Sequence, residues 1–265
     1  MNSFGRLFRV SIFGESHGPL VGVTLDGVPA GIALDEKSFE KDLNRRKSGK
    51  RGTTPRKESD LPEIATGLFR GRTTGAPLTV LFRNENTLSG DYANLVAHPR
   101  PSHSDWVAAR KFGGFNDYRG GGHFSGRLTA PLVFAGAVAK QILARRGVFV
   151  GAHISSVYGI SDQLLEDWDS LRAVADKDFP VLDDRAGEQM RQAILEAKDE
   201  QDSVGGAIEC AVFGLPAGLG GPDFGENAEG IFSQYLFAVP AVKAVGFGAG
   251  AAFALMRGSE ANDPL

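Results

Sequence analysis

The sequence predicts a chain in which hairpin-like strands and helices are mixed, with no strict strand-helix alternation. Short β-branched and aromatic runs bounded by Gly or Pro supply the strands, and three segments with helical spacing supply the helices. Residues 7–13 and 21–25 read as strands, joined through the turn at 14–18. Residues 35–46 follow with apolar Phe39 and Leu43 one turn apart and Asp35 placed to cap, which makes a helix. Residues 77–83 form another strand. The segment 129–146 has Pro131 near its start and Gly147 just past its end, and is apolar almost all round until Lys140. It is expected to be a buried core helix. Residues 149–158 and 207–213 read as strands, and 186–200 as an amphipathic helix.

Two hexapeptides share a pattern: GVPAGI at 27–32 and GLPAGL at 214–219, each leaving a strand and preceding an expected helix. Duplication of a unit accounts for this, and so does the ordinary use of Gly and Pro where strands end. No linker rich in Pro, Ser or charge divides the chain, so one domain over residues 1–265 is expected.

Composition narrows the class of function. With 42% hydrophobic and 23% charged residues the chain falls in ordinary globular usage. The lone Cys210 cannot pair internally, and no Cys or His spacing matches a structural zinc site, which suits a reducing compartment. Residues 1–10 lack the pattern of a secretory leader and no apolar run is long enough to span a bilayer, so a cytoplasmic location with no membrane partner is expected. A net charge of −3 argues against general nucleic-acid binding. Charge is nevertheless uneven. Residues 45–57 carry seven bases and no acid, a segment that calls for an anion, while residues 162–202 carry thirteen acids against five bases and read as a solvated face. The 35 glycines cluster beside charged residues, where they permit close backbone approach to a ligand or simply make tight turns.

Three familiar signatures fail on context. GESHG at 14–18 fits a nucleophile elbow, but a strand, not a helix, follows its serine. GFGAGA at 246–251 fits a relaxed dinucleotide fingerprint, yet the nineteen residues after Gly246 leave no space for the returning strand and ribose-binding acid. The five histidines show no metalloprotease spacing, so no metal site is expected. The stretch 100–127, RPSHSDWVAARKFGGFNDYRGGGHFSGR, is more specific. It joins Arg100, Arg110, Lys111, Arg119 and Arg127 to three consecutive glycines and two histidines, a density of guanidinium forks and open backbone suited to oxyanions and phosphates. His98 and His153 read as structural. His17 and His103 sit beside Ser in short polar turns, where an imidazole either exchanges protons or serves the fold.

Taken in order, GESHG (14–18), RPSHSD (100–105), RGGG (119–122), AGAVAK (135–140), DSVGG (202–206), PAVK (240–243) and GSEAND (258–263) closely resemble the chorismate synthase family over nearly the whole chain. The resemblance implies an α+β sandwich of helices between antiparallel sheets with internal duplication, assembled as a homotetramer. It also implies a phosphate lyase that turns 5-enolpyruvylshikimate 3-phosphate into chorismate by 1,4-anti elimination with reduced FMN, without net redox change. On the same basis His17 is the acid toward the phosphate and His103 the proton partner of the flavin. Arg46 and Arg51 contact the substrate or NADPH, and Arg119 and Arg127 hold substrate carboxylate or phosphate. His123, Phe124 and Ser125 form one flavin contact and Pro240 and Ala241 a second.

Departures from the family pattern are local. HFSGR at 123–127 stands for the common RSSAR, Asn116 for a frequent Arg, and Lys47-Ser48 for Arg-Pro. The family's later glycine-rich segment and RHDP aspartate lie beyond these residues, from which weak FMN binding and little lyase activity are expected of the 265-residue chain. The competing classes are a flavin-dependent oxidoreductase and an inactive flavin- or phosphoanion-binding homologue.

Overall fold

A computed structural model describes residues 2–49, 53, 58–85 and 89–262. Two compact units emerge, Met1–Gly214 and Leu215–Leu265. The first unit opens with strands β1 (Ser3–Phe4), β2 (Arg9–Gly14) and β3 (Leu20–Asp26), helix α1 (Glu36–Arg46), short strands β4 (Glu63–Thr66), β5 (Leu68–Phe69) and β6 (Arg72–Thr73), and strand β7 (Leu78–Arg83). Helices α2 (Asp105–Lys111) and α3 (Thr129–Ala144) come next, then β8 (Phe149–Val157), β9 (Ile160–Ser161), α4 (Trp168–Val174), α5 (Asp184–Asp199) and β10 (Gly206–Phe213). In the second unit lie α6 (Ala228–Leu236), capped by Asn227, and a 3-10 turn at Gly250–Leu255.

The main sheet has the order β1-β2-β3-β7-β4 and is antiparallel throughout. Its register follows from side-chain alternation. Val21, Val23 and Leu25 pair with Phe82, Val80 and Leu78, and all six are fully buried on one face. On the other face Phe13 packs over Gly22, its cross-strand partner, and Thr24 bonds Thr79 at 3.0 Å.

Helices α1 and α3 cover the buried face. Asp35 caps α1 by accepting from Lys37 N–H, and Gln141 of α3 grips the Asp35 backbone at both N–H and C=O. Phe39 and Leu43 turn inward to meet Phe134, with 4.7 Å between the two phenyl centroids. Each such burial contributes about 1.5–3 kcal/mol. Helix α3 is less enclosed than its composition suggests. Phe134, Ala135, Ala137 and Val138 are buried while Gly136 is exposed and Val133 half-buried, since a helix against one sheet shelters only part of its circumference.

The second sheet, β10-β8-β9, is also antiparallel and packs with α4 and α5. His153 on β8 is buried, with its ring nitrogens 2.9 Å from Asp162 and 2.9 Å from Glu209, a structural role as expected. Asp162 corrects the reading of the acidic run as solvated: its side chain is fully buried and accepts from Leu182 and Asp183 N–H as well. The first strand also begins later than expected, at Arg9, with Leu7 exposed in the preceding turn. Strands β4 to β6 and helices α2, α4 and α6 went unread because each is too short to show a period.

The two hexapeptides adopt the same backbone. Gly27 and Gly214 have φ of 77° and 80°, and Gly31 and Gly218 have 82° and 85°. A Cβ on Gly27 would overlap the Leu7 carbonyl oxygen, and one on Gly214 the Gly147 carbonyl oxygen, each just before the strand that pairs with the exiting one. The equivalence therefore extends to which backbone each glycine touches, which favours duplication over coincidence. Gly31 faces open space. Gly27→Ala should therefore lower stability by about 3 kcal/mol or more, and Gly31→Ala by about 1 kcal/mol, in chemical denaturation. Equal losses would contradict this account of the turn.

Candidate active site

The loop between β2 and β3 is a tight turn in which Gly18 N–H donates to Glu15 C=O at 3.1 Å. Strand β3 begins two residues later, so Ser16 lacks the helix that a nucleophile elbow requires. Ser16 and His17 are both buried, and the His17 ring meets Tyr92 edge-on at 5.0 Å. Ser16 N–H donates to Gly122 C=O at 3.1 Å, tying the loop to the triglycine segment.

That segment is a run of three left-handed residues, Gly120, Gly121 and Gly122, with φ of 56°, 84° and 54°. Only glycine adopts such a run without strain. Space requires it as well. A Cβ on Gly120 would overlap the His17 ring, and one on Gly121 would come within 2.8 Å of His103 Cε1. The two histidines singled out from sequence thus abut neighbouring residues of one turn.

His103 is held by its own loop. Its Nδ1 lies 2.6 Å from Asp105 Oδ1, while Arg100 donates to both Asp105 oxygens, at 2.8 and 2.9 Å. With Nδ1–H given to Asp105, Nε2 is left as the acceptor, 3.3 Å from Arg100 Nη2. The Arg100 guanidinium holds the Asp105 carboxyl down at about 2. A carboxylate depressed in the folded state stabilises above its unfolded pKa, near 4, and loses that contribution as pH falls toward 2. Asp105→Asn should therefore remove up to about 2 kcal/mol of the stability lost by the parent chain between pH 4 and pH 2, read from denaturation at each pH. Parallel acid limbs would show that the pair contributes nothing.

Arg119 forms a two-point fork with Asp117, 2.8 Å at each contact, which lowers the Asp117 pKa. Its side chain stays 42% exposed and so retains a face for an anion. Arg127 does not. Its side chain is 2% exposed, and its nitrogens donate to Asp60, to Asn84 Oδ1 at 2.9 Å and to Arg83 C=O at 3.0 Å. It serves as an internal strut here, and a contact with substrate is carried by resemblance alone. Arg46, at the end of α1, also grips Asp60, at 2.9 and 3.2 Å, and reaches Thr129 at 3.1 Å, leaving it partly exposed. Arg51 lies outside the described residues.

His123 and Phe124 stack at 4.0 Å and both adjoin Phe112. Ser125 accepts from Arg127 N–H and caps the turn that leads into α3. Pro240 and Ala241 belong to the second unit, where Ala241 has a φ of 70°. Sequence reasoning missed Asp60, Asn84, Asp105 and Asp117 as site residues. Asp105 and Asp117 stand close in sequence to the arginines they bind, a local signal that was available. Asp60 and Asn84 carry no such signal, because their partners are distant in the chain.

Removing one partner from a buried ion pair leaves a charge without compensation. Arg127→Met is expected to cost about 3 kcal/mol or more in denaturant unfolding, whereas Arg110→Met on the exposed face of α2 should cost under about 0.5 kcal/mol. A mild effect of Arg127→Met would return this side chain to the ligand.

Residues 8–265 match the family model described as chorismate synthase. The chorismate synthase of Chitinophaga pinensis is 51% identical over 265 residues, covering 100% of this chain and 71% of that protein. The chorismate synthase of Aeropyrum pernix is 47% identical over 264 residues, covering 99% of this chain and 69% of that protein. A crystal structure of chorismate synthase superposes with a TM-score of 0.74 at 26% identity, covering 98% of this chain and 74% of that one. With its fold, its paired histidine loops and this similarity in agreement, the chain belongs to the chorismate synthase family.

Proposed function

We propose that this chain carries out the reaction of its family, conversion of 5-enolpyruvylshikimate 3-phosphate to chorismate and phosphate, by placing His17 and His103 against neighbouring glycines of one triglycine turn. The observation that carries the reading is that Gly120 leaves space for His17 and Gly121 for His103. Elimination breaks the C–O bond to phosphate, which leaves with the bonding electrons, and one ring C–H bond, whose hydrogen is lost overall as a proton, and forms a C=C bond with no net gain or loss of electrons. A leaving phosphate dianion departs more readily when protonated, and His17, buried beside Ser16, is the donor assigned to it. Arg119, exposed and fixed in orientation by Asp117, offers a guanidinium to a substrate oxyanion. Arg46 and the basic segment after α1 add positive charge toward the same kind of ligand.

Reduced FMN, when bound, supplies an electron-rich ring in a site shielded from water. The residues suit such a group. Asp105 fixes His103 at Nδ1 with Arg100 beside Nε2, the π faces of His123 and Phe124 match a flat ring, and the Ser125 hydroxyl can donate. Pro240 and Ala241 are carried as flavin contacts by resemblance alone. The same reading includes NADPH as a possible reductant through Arg46 and Arg51, a homotetramer, and a cytoplasmic location. Among the described residues no helix is long and apolar enough to cross a membrane.

Phosphate release from 5-enolpyruvylshikimate 3-phosphate with reduced FMN tests the proposal, with product analysis alongside. Phosphate and chorismate in equal amounts with flavin unchanged, at however low a rate, are the expected result. Stoichiometric flavin oxidation would indicate an oxidoreductase, and flavin binding with no product an inactive homologue. His17→Ala and His103→Ala should each lower turnover by about 10²-fold or more while leaving the chain folded. Near-normal rates in both variants would remove them from the chemistry.

A further inference from the structure

We infer that Asn84, just beyond the end of β7, is the residue that sets the position of His17. Its side chain reaches the GESHG turn at both ends: Nδ2 donates to Glu15 C=O at 2.9 Å and to Gly18 C=O at 2.8 Å. These two carbonyls bracket Ser16 and His17, so one amide group clamps the pair between them. Asn84 N–H donates to Pro19 C=O at 3.2 Å, which binds the exit of the same loop.

Chemistry fixes the orientation of the amide. Two carbonyl oxygens require donors and the Arg127 Nε–H requires an acceptor, so Nδ2 must face the loop and Oδ1 must face Arg127 at 2.9 Å. An aspartate would present lone pairs to both carbonyls, and a leucine of similar size would present nothing. Arg127 is anchored in turn by the buried Asp60, which Arg46 also holds. The clamp is thus braced from behind by a charged group that is itself immobile.

Among the contacts on the His17 turn are its own Glu15–Gly18 hydrogen bond, the triglycine segment, the Tyr92 ring and Asn84. The first two restrict what the turn excludes. Asn84 ties the middle of the turn to the end of β7, the strand that pairs with β3. A displacement of about 1 Å in a reacting group costs about 10²-fold in rate, so the clamp has a functional scale even though it touches no ligand.

The catalytic meaning of this clamp rests on the proposed role of His17, but its existence can be tested apart from that role. Asn84→Ala is treated with diethyl pyrocarbonate, and modification of each histidine is followed by peptide mass spectrometry. His17 is 7% exposed and His153, in the other sheet, 1% exposed, so His153 reports any general loosening. The expected result is a rise of about tenfold in His17 modification with His153 unchanged, on the scale of one lost buried clamp. Asn84→Ser serves as the second variant should the alanine chain fail to fold. An unchanged His17 rate, or equal rises at His17 and His153, would overturn the inference. In the phosphate-release assay kcat should fall about tenfold or more with KM within about twofold. Loosened His17 with unaltered kcat would leave the clamp standing and count instead against His17 as the proton donor.

Discussion

The missing side chains at Gly120 and Gly121 are the constraint on which the site depends. Two imidazoles from distant segments occupy the volume that any other residue pair would fill, and three successive left-handed φ values keep the backbone in that path. A methyl group at either position would have to displace a ring or the turn. Glycine is needed here for two separate reasons, conformation and proximity.

Around that contact the polar groups divide into those that face a ligand and those that support the frame. Asp60 is a buried carboxylate between Arg46 and Arg127, and Asn84 passes the rigidity of that group to the His17 loop. Buried ion pairs add little net stability after desolvation, so their value here is positional. The Arg100–Asp105–His103 group works differently. It is partly open to solvent, and its effect is to hold His103 at Nδ1 through Asp105, with Arg100 close to Nε2. An arginine-rich sequence therefore does not translate into an equal number of ligand contacts.

The repeated hexapeptide shows a structural device used twice. In each case the chain leaves a strand through a left-handed glycine pressed against the residue just before the neighbouring strand. The first copy leads to α1, whose end delivers Arg46 toward Asp60. The second leads into the unit that carries Pro240 and Ala241.

Alternation of apolar residues in β3 and β7, the Asp35 cap, and the Phe39 and Leu43 pair were all legible in the sequence because each depends on neighbours within a few residues. So were the two histidine loops, and the family they mark, because the motifs themselves are local. The sequence also determined that residues 120 to 122 could adopt backbone angles closed to other residues. Tertiary structure alone decided what those angles are for. Whether Arg127 would meet a ligand or a buried carboxylate, and whether Asn84 would face water or clamp His17, depends on segments brought together from far along the chain. Side-chain type limits the hydrogen bonds a residue can make; only packing selects the partner, because a guanidinium or an amide serves equally well for either.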